Sequence, residues 1–261
     1  MIATFVGRSD WTDLRIDVAR ALGMTVIELP ECSLDELPSA VASGKGAIFL
    51  AMAPNEISRF AEAAIRHLNH VFLDVSTWPP LHDSGTMSSK ADEAGVQVSY
   101  SRPLWYDEDV RRIREAGPTR VLTITAGLVG RGGGWRAELQ SVVDLCGGLC
   151  GTFARKKIDA EALRGFGRMP LMLVFGIRFL NGALAQARIG PSGGDVPLPL
   201  EIVAGLDGDV FEASVTSGSA LFERETEGFL TAVSAGVPVP VQLRTGNDAA
   251  AIVEDIMAHL R

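Results

Sequence analysis

The chain has 261 residues, of which 47% are hydrophobic and 21% charged, a composition typical of one large or two modest globular domains. Its net charge of −8 argues against nucleic acid or an anionic membrane as the main partner. No apolar run reaches the ~20 residues of a membrane span, and the N-terminus lacks the basic and apolar regions of a signal peptide. We therefore expect a cytoplasmic protein with no nucleic-acid or membrane partner.

The three cysteines, Cys32, Cys146 and Cys150, do not suggest a disulfide framework, because their number is odd. Cys146 and Cys150 are four residues apart and can share a helix face. No further ligands cluster near them, and the four histidines are scattered. We expect small buried side chains here and no metal site.

The first 117 residues alternate between short apolar runs and amphipathic stretches. The apolar runs predict buried strands, and the stretches between them predict helices. Such alternation is typical of a doubly wound α/β domain with a parallel sheet. The strands are expected at residues 2–6, 25–29, 47–53, 70–75 and 96–100.

After Gly117-Pro118 the pattern changes. Residues 120–128 alternate as a half-exposed strand does, residues 138–145 predict a helix, and residues 171–222 favour strands broken by turns. Asp207-Gly208 between apolar runs predicts a hairpin. We predict a Rossmann-like domain over residues 1–117 and an α+β domain over residues 118–261 with an open, mostly antiparallel sheet. We expect helices within residues 225–260 to pack back on the first domain.

Two stretches of the first domain resemble the nucleotide-binding half of the Gfo/Idh/MocA oxidoreductases. Residues 52–58 are similar to the segment A-T-P-N-x-x-H, and residues 68–76 are similar to G-K-H-V-L-x-E-K-P. The family's catalytic lysine falls on Val75 and its proline on Ser76. The resemblance implies the family's two-domain fold with altered chemical residues.

A third stretch, residues 147–159, resembles the family pattern G-G-x-x-x-D-x-x-x-H-x-x-D, whose Asp and His face the substrate one helical turn apart. In this frame the Asp falls on Thr152, the His falls on Lys156, and Asp159 is kept. The resemblance therefore implies loss of the usual proton relay for hydride transfer.

The N-terminal residues 2–23 resemble the family's second strand and helix. We therefore expect a truncated Rossmann half that lacks the first strand and its G-x-G-x-x-G turn, which holds a dinucleotide pyrophosphate. Arg8 and Ser9 stand where NADP-preferring relatives hold the 2′-phosphate. An exposed turn with a helix cap is the interpretation we favour for them.

The candidate site residues are those that the resemblance or their chemistry places around one cleft. Each also has a structural interpretation, such as a solvated basic patch at Lys156 or a turn cap at Asp74. The catalytic candidates are Lys156, Asp74, Asp159 and Tyr106. The cofactor-binding candidates, if NADP binding survives, are Arg8, Ser9, Pro54 and Asn55. The substrate candidates are Trp78, Arg102, Trp105 and Thr152.

Three functional hypotheses follow. The favoured one is a degenerate family-like protein without nicotinamide redox chemistry, acting as a non-catalytic or accessory subunit and needing no cofactor. The second is a cofactor-independent lyase, isomerase or cyclase that uses the old substrate cleft for a small-molecule ligand. The third is an oxidoreductase that uses NADP or NAD on a sugar-like or ketone substrate. The resemblance implies a homodimer through the open sheet, or a hetero-oligomer with an intact relative.

Overall fold

A computed structural model describes residues 1–37, 46–74, 81–128, 135–164, 170–191, 200–216 and 218–260. The chain divides into two compact units. The first unit comprises Met1–Pro103 and Gly218–Asn247, and the second comprises Leu104–Ser217 and Asp248–Arg261. The division at Pro103 lies 14 residues before the boundary predicted at residue 117.

Seven helices and one 3₁₀ turn accompany the sheets in the described residues. The turn spans Pro103–Tyr106. The helices are α1 (Thr12–Ala21), α2 (Pro54–Arg66), α3 (Leu81–Ala94), α4 (Glu108–Ala116), α5 (Trp135–Leu149), α6 (Ser219–Ala235) and α7 (Leu243–His259).

The first unit is built on a parallel sheet of five strands, as the apolar runs predicted. The strands are β1 (Ile2–Gly7), β2 (Thr25–Leu29), β3 (Ala47–Ala51), β4 (His70–Leu73) and β5 (Val98–Tyr100). Their order across the sheet is β2-β1-β3-β4-β5. All five residues of β3 are buried, which explains why its sequence is continuously apolar rather than alternating.

Strand β1 is an interior strand of the parallel sheet. In a doubly wound sheet of order 3-2-1-4-5-6, the first strand lies between the second and the fourth. Here β1 pairs with β2 on one side and with β3 on the other, so that Phe5 lies between Glu28 and Phe49. By position, β1 therefore holds the place of the first strand. A sheet that had lost its first strand and closed the gap would have the same order, so the loss of that strand stays a prediction. Within the described residues, no strand pairs outside β2.

Aromatic side chains fill the core of the first unit. Phe49 stacks on Phe5 with ring centroids 4.5 Å apart, and it meets the edge of Phe229 at 5.5 Å. Phe229 belongs to α6, which packs against α1 and brings Leu230 and Val233 into the same cluster. Helix α6 thus completes the core of a sheet whose strands all lie within the first 100 residues of the chain.

The second unit carries a mixed sheet of six strands, in the order β11-β10-β6-β9-β8-β7. All of its pairings are antiparallel except that of β6 with β9. The predicted hairpin forms at Asp207-Gly208, where Gly208 has a φ of 105°. The strands are β6 (Val121–Leu128), β7 (Arg155–Arg164), β8 (Pro170–Phe179), β9 (Leu184–Pro191), β10 (Leu200–Leu206) and β11 (Asp209–Val215).

Alternation along these strands separates a buried face from an exposed face. On β6, Leu122 and Ile124 are fully buried, whereas Thr123 and Thr125 are exposed. We call the exposed side, which includes Val121, Thr123, Val203 and Val210, the open face. The predicted α/β plus α+β fold class, with its open and mostly antiparallel second sheet, is confirmed.

Candidate functional site

Polar side chains gather at the carboxyl edge of the parallel sheet. Ser9 lies two residues after β1, Asp74 directly follows β4, and Ser101 directly follows β5. In open α/β sheets ligands bind outside the carboxyl ends of the strands, so this edge is the candidate site. The Ser9 hydroxyl donates to Asp74 Oδ2 over 2.5 Å, which joins the first and fourth strands.

Arg15 of α1 is the centre of this cluster. It is fully buried, and its Nη2 donates to Glu225 Oε2 at 2.7 Å, to Ser101 Oγ at 3.1 Å and to Asp74 Oδ1 at 3.2 Å. Its Nη1 donates to Thr226 Oγ1 at 2.7 Å. The guanidinium also lies over the rings of Phe72 and Phe222, at 4.7 and 5.5 Å from their centroids. We call Arg15, Asp74 and Glu225 the buried triad.

The triad holds two carboxyl groups against one guanidinium. Burial raises the pKa of Glu225, although Arg15, the backbone N–H of Arg102 and the hydroxyl of Ser101 all act to lower it. Burial by itself lowers the pKa of Arg15, but the two carboxylates outweigh it and the net pKa is raised. Arg15 is therefore a permanent cation held within the first unit.

The turn after β1 preserves the spacing of a dinucleotide-binding fingerprint but not its composition. Gly7, Ser9 and Thr12 stand at the three glycine positions of G-x-G-x-x-G. Gly7 has a φ of 78°, and a Cβ there would lie 2.0 Å from the carbonyl oxygen of Ala51, so glycine is required. The other two positions carry hydroxyl side chains.

These hydroxyl side chains are used within the turn itself. The Ser9 N–H donates to Thr12 Oγ1 at 2.7 Å, and the Trp11 N–H donates to Ser9 Oγ at 3.2 Å. The Trp11 ring stacks on Phe222 of α6 with centroids 3.9 Å apart. The second glycine of the fingerprint lets the backbone approach a pyrophosphate. With Ser9 there, and its hydroxyl bonded to a carboxylate, the turn does not fit that group.

The ribose side of the fingerprint is better preserved. Glu28 lies near the end of β2, about 20 residues after Gly7, where an acidic side chain would contact a ribose hydroxyl. It is held by Arg20 at 2.8 Å and by Arg8 at 3.7 Å. Arg8, a candidate ligand for a 2′-phosphate, is exposed and also pairs with Asp13 at 3.0 Å.

The structure corrects the frame assigned to residues 147–159. That pattern places its Asp and His on one helix, but α5 ends at Leu149 and β7 begins at Arg155. Lys156 is exposed at an irregularity in the pairing of β7 with β8, and Thr152 lies in the connection before β7. Asp159 forms a surface pair with Lys157 at 2.9 Å. These residues therefore do not share a helix face.

Two of the predicted pocket residues are core residues of their units. Trp105 is buried, donates from Nε1 to Asp144 of α5 at 2.7 Å, and packs against Gly148. Arg102 is buried with its guanidinium 4.3 Å from the ring centroid of Tyr100, and its Nη1 donates to the carbonyl of Ser101.

The structure describes only part of the remaining candidate site residues. Tyr106 lies half-buried on the 3₁₀ turn. Pro54 and Asn55 open α2, but their side chains are not among those described. Trp78 lies outside the described residues, as do Val75 and Ser76.

Sequence reasoning missed Arg15, Thr12 and Glu225. Helical spacing over residues 11–22 predicts Leu14, Val18, Ala21 and Leu22 on the inner face of α1, whereas the buried positions are Thr12, Arg15, Ile16 and Ala19. The available signal was the spacing of Gly7, Ser9 and Thr12 directly after an apolar strand.

All three cysteines are free thiols. Burial raises the pKa of Cys150 to about 12, and burial also raises the pKa of Cys146 well above its ordinary range. The described residues contain no group of three or more His, Cys, Asp or Glu side chains placed to hold a metal ion. Among the helices described, none has the length and apolar character needed to cross a membrane.

The sequence matches no protein-family model and no curated protein. The fold, however, matches solved dehydrogenases along its whole length. A probable dehydrogenase from Thermotoga maritima is 14% identical with a TM-score of 0.80, and the match covers 100% of this chain and 97% of that one. UDP-N-acetylglucosamine 3-dehydrogenase GnnA from Acidithiobacillus ferrooxidans is also 14% identical, with coverage of 100% and 97% and a TM-score of 0.79.

Scyllo-inositol dehydrogenase from Lactobacillus casei, solved with bound NAD(H) and scyllo-inositol, is 10% identical. That match covers 100% of this chain and 96% of the other, with a TM-score of 0.78. At such identities the likeness establishes the fold. It is the two-domain fold of Gfo/Idh/MocA-type dehydrogenases, as the sequence resemblance predicted.

Proposed function

We propose that the chain is a non-redox subunit built on the dehydrogenase fold, which neither binds NAD(P) at its glycine turn nor transfers hydride. The observation that carries this proposal is the turn after β1. There Ser9 and Thr12 replace two glycines and bond to each other. A pyrophosphate approaches the backbone closely at the second glycine of the fingerprint, where no side chain is in the way. The side chains of Ser9 and Thr12 therefore oppose its binding.

Association is the role that we propose in place of catalysis, with a second copy of the chain as the partner. The open face supports this proposal, since Val121, Val203 and Val210 are exposed on three neighbouring strands. Their exposed fractions are 54%, 42% and 70%. A run of exposed apolar side chains on a sheet face is typical of an interaction surface. An intact relative in place of the second copy is the alternative partner.

One observation favours a second candidate function, an NAD-dependent oxidoreductase. Gly7 and Glu28 keep the first glycine and the ribose-binding acid of the fingerprint, and the structural neighbours are dehydrogenases. A cofactor-independent enzyme has less support among the described residues. Lys156 is exposed on β7, and Asp74 is committed to Ser9 and Arg15.

Titration of the purified protein with NADH and NADPH, followed by calorimetry and nicotinamide fluorescence, separates the two functions. The proposal expects no saturable binding up to millimolar cofactor. Binding at micromolar level, worth ~8 kcal/mol, would overturn it in favour of the oxidoreductase. The Glu28→Ala variant then serves as the matched test, because a ribose contact would make the binding of NADH weaker.

A further inference from the structure

We propose that the carboxylate of Asp74 takes the place that a cofactor phosphate holds in dinucleotide-binding folds, so that this chain supplies its own anion at the β1–α1 turn. This inference rests on the place of β1 beside β3 and on the proposed function. It deepens the proposed function, because it states what occupies the site from which the dinucleotide is excluded.

The position of Asp74 is the first support. It directly follows β4, and its backbone N–H donates to the carbonyl of Leu50 on β3 at 2.9 Å. Its side chain therefore starts from the carboxyl edge of the sheet, next to the point where ligands of such folds bind. Asp74 is 9% exposed, so its carboxylate has left bulk water.

The partners of the carboxylate are the second support. Oδ2 accepts from Ser9 Oγ at 2.5 Å, and the same Ser9 Oγ accepts from the Trp11 N–H in front of α1. A phosphate at this turn would accept from the backbone N–H groups of the helix start. Here one of those donors, the Trp11 N–H, is satisfied by Ser9 Oγ, and the Ser9 hydroxyl in turn donates to Asp74.

Arg15 makes the arrangement permanent. Its Nη2 donates to Asp74 at 3.2 Å, while its other bonds reach Ser101, Glu225 and Thr226. A guanidinium held on four sides and fully buried cannot turn outward to bind a ligand phosphate.

The experiment uses inorganic pyrophosphate as the probe and amide ¹H–¹⁵N spectra of the full chain as the readout. In the wild-type protein, the amides of Ser9 and Thr12 should show no saturable shift at millimolar pyrophosphate. In Asp74→Asn, which removes the charge but keeps the side-chain shape, the same amides should shift. The affinity should rise by about tenfold or more, since one desolvated like charge has been removed.

The matched control is Asp13→Asn, which removes one carboxylate from the first turn of the same helix. The Asp13 side chain is 81% exposed, so screening by water should make its effect small. A saturable shift in the wild-type protein overturns the inference, and so does an Asp74→Asn affinity no greater than that of Asp13→Asn. If Asp74→Asn does not fold, the wild-type spectrum still decides the question.

The outcome also separates this inference from the proposed function. Turnover or micromolar binding of NADH that leaves the Ser9 and Thr12 amides unmoved would overturn the non-redox proposal alone. A pyrophosphate-dependent shift at those amides without NADH binding would overturn the assignment of Asp74 alone.

Discussion

At the scale of single residues, Glu225 links stability to pH. It accepts hydrogen bonds from Arg15, Ser101 and the Arg102 N–H, yet burial raises its pKa above that of an exposed carboxyl. The folded protein therefore binds a proton that the unfolded chain releases. The free energy of unfolding should fall as pH rises from the ordinary carboxyl range to the raised pKa, by up to about 1.4 kcal/mol per pH unit.

Urea unfolding at a series of pH values measures this slope. Glu225→Gln should flatten it across that window, because the titrating group is gone while Asp74 keeps its pairing with Arg15. Glu227→Gln on the same helix should leave the slope as in the wild type, since Glu227 is exposed. Equal slopes for all three proteins would show that Glu225 does not hold the proton.

Arg15 also shows where reasoning from single residues fails. An arginine in the middle of a helix is normally assigned to solvent, because a charge is buried only when it is paired. Its partners Glu225 and Thr226 are more than 200 positions away along the chain. No local pattern on α1 reveals them, so its buried face was predicted wrongly.

At the scale of elements, the packing of α5 depends on a glycine, Gly148, which has no side chain. A Cβ on Gly148 would lie 1.8 Å from Cη2 of Trp105, whose indole is fixed by its hydrogen bond to Asp144. Gly148→Ala should therefore destabilise the protein by about 1–3 kcal/mol through overpacking. In α3 a Cβ on Gly85 meets no neighbouring atom within 4 Å among the described residues, so Gly85→Ala should stabilise by roughly 0.5–1 kcal/mol. Denaturant unfolding measures the change in the free energy of unfolding for each variant, and the two changes should have opposite signs. Changes of the same sign would contradict the packing described for these two glycines.

The types of the elements were largely predictable from the sequence, but the position of each element in its sheet was not. β1, β2 and β3 were predicted within two residues at each end, because continuous apolar runs between turn residues are distinctive. The rank of β1 in the sheet depends on its neighbours β2 and β3, which no short window contains. Residues 155–159 were matched to a helical motif by letters alone, although alternation at Ile158 between exposed neighbours is typical of a strand.

At the scale of the whole molecule, the proposal of a dimer can be tested through the open face. Val203→Arg should convert a dimer to a monomer, since a charge buried at an apolar contact is costly to desolvate. Val237→Arg, at a 49% exposed valine of the first unit, should leave the mass unchanged. Light scattering coupled to size-exclusion chromatography measures both. A wild-type monomer that stays monomeric at high concentration would contradict self-association and favour a different partner chain.

The buried triad also has a consequence for the time course of folding. Arg15 and Glu225 are 210 positions apart, so a ribosome adding about 5–20 residues per second needs roughly 10–40 s to deliver the second after the first. Until then Phe49 and Phe72 have no Phe229 to cover them, and the guanidinium lacks one of its two carboxylates. The first unit is therefore begun early in translation and finished late. A nascent chain that stops within the second unit would expose the uncovered apolar core of an incomplete sheet to the chaperones of the cell.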